Sequence, residues 1–278
     1  MNNSNWQGFF RHPNGIVGGC LVIIVFAAAL VGSIYTPYDP ISVDFNNRLA
    51  APSLDHWFGT DEWGRDVLSR LLSGAVVSIG IAFTTAVIAT AAGTLIGSAS
   101  AFYGRWLDRG TMAVMDALLA FPAIVLALAV IAILGSGSYT PILALSIAYL
   151  PSVVRVVRSS VLSLKRNDFV RASTVMGNSR LFTLCRHILP NTLASVIVLA
   201  TSLFGWALLA ESALSFLGLG VPPPASSWGG MLADSRNYFE NAPWLAFAPG
   251  LTLSLSLLGI NLFGDAMRDY FDPRMKNL

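Results

Sequence analysis

Six apolar runs, each long enough to cross a lipid bilayer, limit what this chain can become. They lie near residues 15–35, 76–101, 113–134, 140–157, 193–217 and 244–264. A hydrocarbon core of about 30 Å takes about 20 apolar residues in helical form. In lipid every backbone N–H and C=O must be satisfied internally, so a span is a helix unless strands of alternating polarity close into a barrel. No such alternation is present. With 54% hydrophobic and only 12% charged residues, the 278-residue chain lacks the polar surface of a water-soluble fold. The reading is an all-α polytopic membrane protein with six transmembrane helices. The first run, about 21 residues, exceeds the roughly 7–15 of a signal-peptide core, so it is expected to remain as an uncleaved helix.

The basic residues orient the bundle. With the N-terminus inside, Arg11, Arg105, Arg109, Arg155, Arg158, Lys165, Arg166, Arg171, Arg180, Arg186, Arg268, Arg274 and Lys276 fall on the cytoplasmic side, against Arg48, Arg65, Arg70 and Arg236 outside. A split of 13 to 4 places both termini in the cytoplasm. Topology accounts for the basic excess, so the formal charge of +2 implies no nucleic-acid partner. Cys20 falls in the first span and Cys185 in a cytoplasmic loop, on different levels, so no disulfide is expected between them.

The chain divides into residues 1–72, holding an N-terminal tail, the first helix and a long outer segment, and residues 73–278, holding five helices. In the outer segment Asp39, Asp44, Asp55, Asp61, Glu62 and Asp66 favour water, while Trp57, Phe58 and Trp63 suit a membrane interface. An anchored loop and a docking surface both fit. The second helix carries Gly93 and Gly97, a small-xxx-small pair that admits a close neighbour. A short inner loop with Arg105 and Arg109 leads to the third helix, where Pro122 should loosen the backbone, and the short fourth contains Pro151. The fifth holds Glu211, an intramembrane acid that is either a pathway site or a partner for a neighbouring helix. Between the fifth and sixth spans, the prolines 222–224 and the glycines 229–230 form an outer loop dipping toward the membrane. Trp228 and Trp244 are expected there at headgroup level.

Several chemistries are missing. Neither Lys165 nor Lys276 completes a phosphate-binding G-x-x-x-x-G-K-[ST] loop, so ATP hydrolysis by that route is excluded for this chain. His12, His56 and His187 are scattered over loops on both sides, which offers neither a metal site nor a base for a serine hydrolase inside a span.

One polar stretch interrupts the apolar chain in its second half: RASTVMGNSRLFTLCRHILPN, residues 171–191. Asn167 or Asp168 can cap a first helix, in which Phe169, Ala172, Ser173 and Met176 repeat at i, i+3, i+4, i+7. Gly177 suits the left-handed residue that ends it. Asn178 or Ser179 can cap a second piece, with Leu181, Leu184, Cys185 and Ile188 in the same spacing, and Pro190 stops it or starts the next helix. Two short amphipathic helices at an angle are expected on the cytoplasmic face, one side packed on the bundle and the other meeting anionic lipid or a partner.

This stretch resembles the Glu-Ala-Ala loop of the membrane subunits of binding-protein-dependent ABC importers. The matching elements are Ala172, Gly177, Ile188, Leu189, Pro190 and Asn191. Nearly the whole chain is similar to the second permease subunit of dipeptide, oligopeptide and nickel importers, through HWFGTDEWGRDVLSRLLSG, SFLGLGVPPPASSWGGML and GDAMRDYFDP. The family's usual glutamate is Arg171 here and its second alanine is Ser173, so that glutamate's contact is not carried over.

The resemblance implies a type I ABC importer permease fold in a bacterial inner membrane, importing di- or oligopeptides, with nickel or metal chelates as the alternative cargo. It also implies a homologous permease subunit, two ABC ATPase subunits that bind ATP and Mg2+, and an extracytoplasmic substrate-binding protein. This chain itself would hold no cofactor, no metal and no catalytic residue. Phe169, Ala172, Ser173, Met176, Gly177, Leu181 and Pro190 would form the ATPase-coupling loop within residues 167–189. Asp61, Gly64, Arg65, Asp66, Trp228 and Asp234 would serve the binding protein or an outer gate, and Glu211 is the candidate in the translocation pathway. An ion-coupled carrier using Glu211, and a passive channel or scaffold, are the competing readings.

Overall fold

The computed structural model describes residues 13–271. Arg11, His12, Arg274 and Lys276, used above for topology and metal arguments, lie outside the described residues. Ten helices follow in order: α1 (Pro13–Ile34), α2 (Val67–Tyr103), α3 (Arg105–Leu119), α4 (Ala123–Leu134), α5 (Thr140–Leu164), α6 (Asp168–Val175), α7 (Arg180–Thr183), α8 (Leu189–Phe216), α9 (Trp228–Ser235) and α10 (Trp244–Phe271). A single 3-10 turn, Phe45–Asn47, lies in the outer segment, and a π-turn, Leu184–Ile188, joins α7 to α8.

Five of these are long and apolar enough to cross a membrane: α1, α2, α5, α10 and the continuous helical stretch Arg180–Phe216. The sixth expected span, 113–134, is bent: α3 and α4 meet at 93°, which makes five spans, or six with this pair as one. Proline lacks an N–H and disfavours helical geometry in the residue before it. Pro122 accordingly sits extended, with φ −54° and ψ 137°, and ends the helix rather than loosening it. The 12 residues of α4 rise only about 18 Å, so the pair crosses a bilayer only as one broken span. The inner loop expected at Arg105 and Arg109 is instead the first part of α3.

α2 is the centre of the bundle, packed along α5 on one side and α8 on another. Its approach to α5 depends on two glycines. A Cβ on Gly93 would lie 2.5 Å from Val153 Cγ1, and one on Gly97 would lie 2.7 Å from the Val154 carbonyl oxygen. At Gly93 the Val153 Cβ is also only 2.6 Å away, so neither clash is relieved by a rotamer change, and the one at Gly97 is directly with backbone. Gly93→Ala and Gly97→Ala are therefore each expected to destabilise the bundle by about 1–3 kcal/mol through overpacking, as read by thermal unfolding in nanodiscs.

α5 runs on past residue 157, where its apolar run ended, to Leu164. Around the end of that run Arg155 and Arg158 pair with α3. Arg155 Nη2 donates to Asp116 at 2.6 Å, and Arg158 donates twice to Asp108 at 2.6 and 2.7 Å. At the same end the Lys165 ammonium donates to the Phe102 carbonyl at 2.8 Å, covering the last turn of α2. Helix direction thus gathers the C-terminal ends of α2 and α5 with the start of α8 at one end of the bundle, and the starts of α2 and α10 at the other.

The loop after α8 holds a further correction. Trp228 is not at headgroup level but completely buried. Its Nε1 donates to the Leu71 carbonyl at 3.0 Å and its backbone N–H to Ser78 Oγ at 3.1 Å. The indole fills the space beside Gly74, and α9 is drawn against α8 and α10 instead of lying on the surface.

Candidate coupling interface and outer knot

The polar stretch folds into a hairpin at the end of the bundle where α2 and α5 stop. Asn167 occupies the N-cap of α6 without a side-chain bond. The helix closes when Met176 N–H donates to the Ala172 carbonyl at 2.9 Å and Asn178 N–H to the Ser173 carbonyl at 3.2 Å. Gly177 adopts φ +80°, the left-handed geometry expected of it, with nothing within 4 Å of where its Cβ would be. The Ser179 hydroxyl then accepts from Phe182 N–H at 3.2 Å and starts α7.

The rotational phase of α6 differs from the expected one. Val170 and Ser173 face the bundle, while Phe169, Ala172, Val175 and Met176 face out. A hydroxyl tie sets this phase: Ser173 and Thr183, both fully buried, bond at 3.0 Å, and Asn178 Nδ2 donates to Ser173 Oγ at 3.2 Å. In the second piece Leu184 and Ile188 are buried as expected, whereas Leu181 and Cys185 are exposed. The hairpin therefore presents an outward apolar face of Phe169, Val175, Met176, Leu181 and Phe182, with Val175 88% and Met176 73% exposed. Val175 and Phe182 escaped the sequence reading, because a seven-residue repeat marks a stripe without saying which side it faces.

The second piece is not a separate helix, as had been expected. α7 passes through the π-turn Leu184–Ile188 into α8, and Pro190 lies in the first turn of α8. A proline there has no N–H to place, and the π-turn absorbs the change of hydrogen-bond register. Asn191 Nδ2 donates to the His187 carbonyl at 2.7 Å across this junction.

At the opposite end, the outer segment is tied by a buried knot of charges. Asp61, 1% exposed, accepts at Oδ1 from the backbone N–H groups of Trp63 and Arg65 at 2.8 and 2.9 Å. Its Oδ2 accepts from Arg65 Nε at 2.7 Å and Arg70 Nη1 at 2.6 Å. Arg70 reaches on to Asp234 of α9 at 3.3 Å. Asp66 caps α2, accepting from Ser69 N–H at 2.8 Å, and its other oxygen lies 2.9 Å from His56 Nδ1. Gly64, at φ +74°, is pressed against the Asp44 carbonyl. Burial pushes the Glu62 carboxyl above its usual range, and the charges of Asp61 and Asp234 add to the shift.

These residues were expected to face a binding protein or an outer gate. The structure brings Asp61, Gly64, Arg65, Asp66 and Asp234 together, but Asp61, Asp66 and Gly64 are buried and Trp228 belongs to the core. Asp61, Gly64 and Asp66 hold the outer segment in shape, and of the six residues only Asp234 is exposed. Arg70, the centre of the knot, gave no signal in the sequence beyond its place in the outer stretch.

Glu211 is completely buried near the outer end of α8. Its Oε1 accepts from Ser215 Oγ at 2.7 Å and its Oε2 from Ser212 Oγ at 3.4 Å, while the hydroxyls of Ser78 and Ser227 also bond to it. The four serines come from α2, α8 and the cap of α9. The carboxyl ties three helices together.

Among the described residues the chain is a helical, multi-pass bundle with a hairpin protruding at one end, the architecture of a membrane permease component. Residues 90–277 match the family described as the binding-protein-dependent transport system inner membrane component, and the chain belongs to that family. Residues 4–52 match the N-terminal transmembrane domain of oligopeptide transport permease C. The chain is 42% identical over 262 residues to the dipeptide transport system permease protein DppC of Alkalihalophilus pseudofirmus, covering 94% of this chain and 84% of that protein. It is 40% identical over 272 residues to the glutathione transport system permease protein GsiD of Escherichia coli, covering 98% and 90%. Among solved structures, a chain of the inward-facing MetNI methionine ABC transporter superposes with a TM-score of 0.60 at 18% identity, covering 73% of this chain and 96% of that one. The last likeness concerns the fold alone.

Proposed function

We propose that this chain is one of two homologous permease subunits of an ATP-driven peptide importer in a bacterial inner membrane, with both termini in the cytoplasm. Two ABC ATPase subunits, which would bind ATP and Mg2+, are its cytoplasmic partners, and an extracytoplasmic binding protein delivers the peptide. This chain contributes no catalytic group. The observation that carries the reading is the outward apolar face of Phe169, Val175, Met176, Leu181 and Phe182 on a hairpin rooted in the bundle. An apolar face of that kind outside the membrane is a protein contact, because water gives it nothing. Relatives named for dipeptide and glutathione transport support a peptide cargo over nickel.

The test is reconstitution with the native partners. ATP hydrolysis should rise when the binding protein is loaded with peptide, and a cysteine at position 176 should cross-link to the ATPase. Stimulation by a nickel-loaded binding protein and not by a peptide-loaded one would reverse the cargo assignment.

The carrier reading meets a separate test at Glu211. Glutamine keeps an acceptor for the serine hydroxyls and removes the titratable proton, so Glu211→Gln is expected to retain coupled uptake near the parental rate. Vesicles holding this chain alone should take up no peptide under a proton gradient. Gradient-driven uptake that the substitution abolishes would establish a carrier instead.

A further inference from the structure

Behind the coupling hairpin lies a second, differently built surface. A cavity of about 280 Å3 opens between the last turn of α2, the end of α5 and the hairpin, lined by Tyr103, Lys165, Arg171, Thr174 and Arg180 over a floor of Phe102. Three of these side chains are cations and none is an acid. Lys165 is fixed by its bond to the Phe102 carbonyl and stands 5.5 Å over the Phe102 ring, so its charge is held in place. Among the described residues neither Arg171 nor Arg180 has an ion-pair partner.

The position of the cavity identifies what fits it. Val170, Arg171 and Thr174 lie on one side of α6 and Phe169, Ala172 and Met176 on the opposite side, with Val175 at the border beside Arg171, so a partner seated on Phe169 and Met176 leaves the cavity open. Its floor, Phe102, follows directly on the apolar run 76–101 of α2, which places the cavity where that span leaves the lipid. Immediately beyond, Trp106 is 80% exposed with the Arg109 guanidinium 5.7 Å from its ring, the aromatic and basic pairing of a headgroup layer. Basic pockets between helices on the cytoplasmic side suit anionic headgroups. Arg171 and Arg180 can each present a planar pair of donors to phosphate oxygens.

We propose that Lys165, Arg171 and Arg180 form a binding site for the phosphate of an anionic phospholipid in the cytoplasmic leaflet, seated against the rear of the coupling hairpin. A lipid held there braces α6 from the membrane side while its other face remains free for a protein. The site explains why a segment destined to meet a protein through apolar side chains carries arginines on its reverse.

The experiment uses the full chain in phosphatidylcholine nanodiscs with and without phosphatidylglycerol, reading retained lipid by native mass spectrometry and the thermal unfolding midpoint. Phosphatidylglycerol should be retained and should raise the midpoint, since a ligand of the native state stabilises it. Arg171→Gln with Arg180→Gln should weaken retention about 30-fold, each basic residue near an anionic surface contributing roughly a factor of five. The corresponding Lys pair should restore most of it. Should the double variant fail to fold, the two single variants, each about five-fold weaker, carry the same reading. Equal retention in the glutamine variants would overturn the site. So would an equal loss from Arg105→Gln with Arg109→Gln, which are basic residues at the same end but outside the cavity. An equal midpoint shift from inorganic phosphate alone would overturn the assignment to lipid, and retention only in the presence of an acidic partner protein would replace lipid with that protein.

Discussion

Phe169→Glu combined with Met176→Glu is expected to leave the helical bundle folded while the ATPase subunits no longer co-purify with it. Met176 is 73% exposed and Phe169 41%, and neither belongs to the buried core, so the bundle loses only the partial packing of Phe169. The local electrostatic change is small: a glutamate in the first turn of α6 favours the helix and one at its end opposes it, each by about 0.3–1 kcal/mol. The effect on docking is far larger. Two apolar side chains buried in an interface contribute about 1.5–3 kcal/mol each, so their loss weakens association by more than about 100-fold before the cost of burying two charges is added. The measurement is co-purification and binding-protein-stimulated ATP hydrolysis, with circular dichroism of the isolated subunit as the fold control. Intact coupling in the double variant would sink the proposed interface. Arg166→Gln, an exposed charge outside that face, should leave co-purification unchanged.

The second large effect is expected at the outer knot. Asp61→Ala removes the carboxylate that receives both Arg65 and Arg70, and Arg70 is only 7% exposed. Its remaining partner, Asp234, is 3.3 Å away with a side chain 44% exposed, a poor substitute. Stranding a buried guanidinium in this way costs about 3–5 kcal/mol. Asp61→Asn should cost less, because the amide oxygen can still accept from the backbone N–H groups of Trp63 and Arg65. Asp234→Ala should cost under about 1 kcal/mol, as a half-exposed pair does. Thermal unfolding in nanodiscs and the rate of proteolysis between residues 35 and 66 would rank the three. Equal stability of Asp61→Ala and the parent would show that the knot does not hold the segment.

Most of the fold was legible because lipid leaves few choices. Span count, helix-only architecture and the Gly93–Gly97 approach to α5 all follow from apolar length and side-chain size. The break at Pro122 was signalled by the proline, but its angle is set by what α3 finds to pack against, and the partners Arg155 and Arg158 lie on another helix. Likewise the glycine joint and the Ser179 cap of the hairpin are local and were readable, while the phase of α6 depends on Ser173 meeting Thr183, ten residues away. Trp228 was misplaced for a related reason. Tryptophan favours the headgroup layer only when its N–H has nothing better to bond, and here the Leu71 carbonyl, far away in sequence, provides an alternative. Asp61 and Asp66 read as solvated acids because their cations cannot be paired with them until the chain is folded.

The uninterrupted helical path from Arg180 to Phe216 has a mechanical consequence. At 37 residues it is about 55 Å long and links the hairpin to the serine-lined seat of Glu211. Pivoting about its middle, such a rod moves each tip on the order of 2 Å for every 5° of rotation. The π-turn just above the hairpin is where its ladder changes register, so a shove delivered below that point is divided there between bending at residues 184–188 and tilt of the rod beyond them.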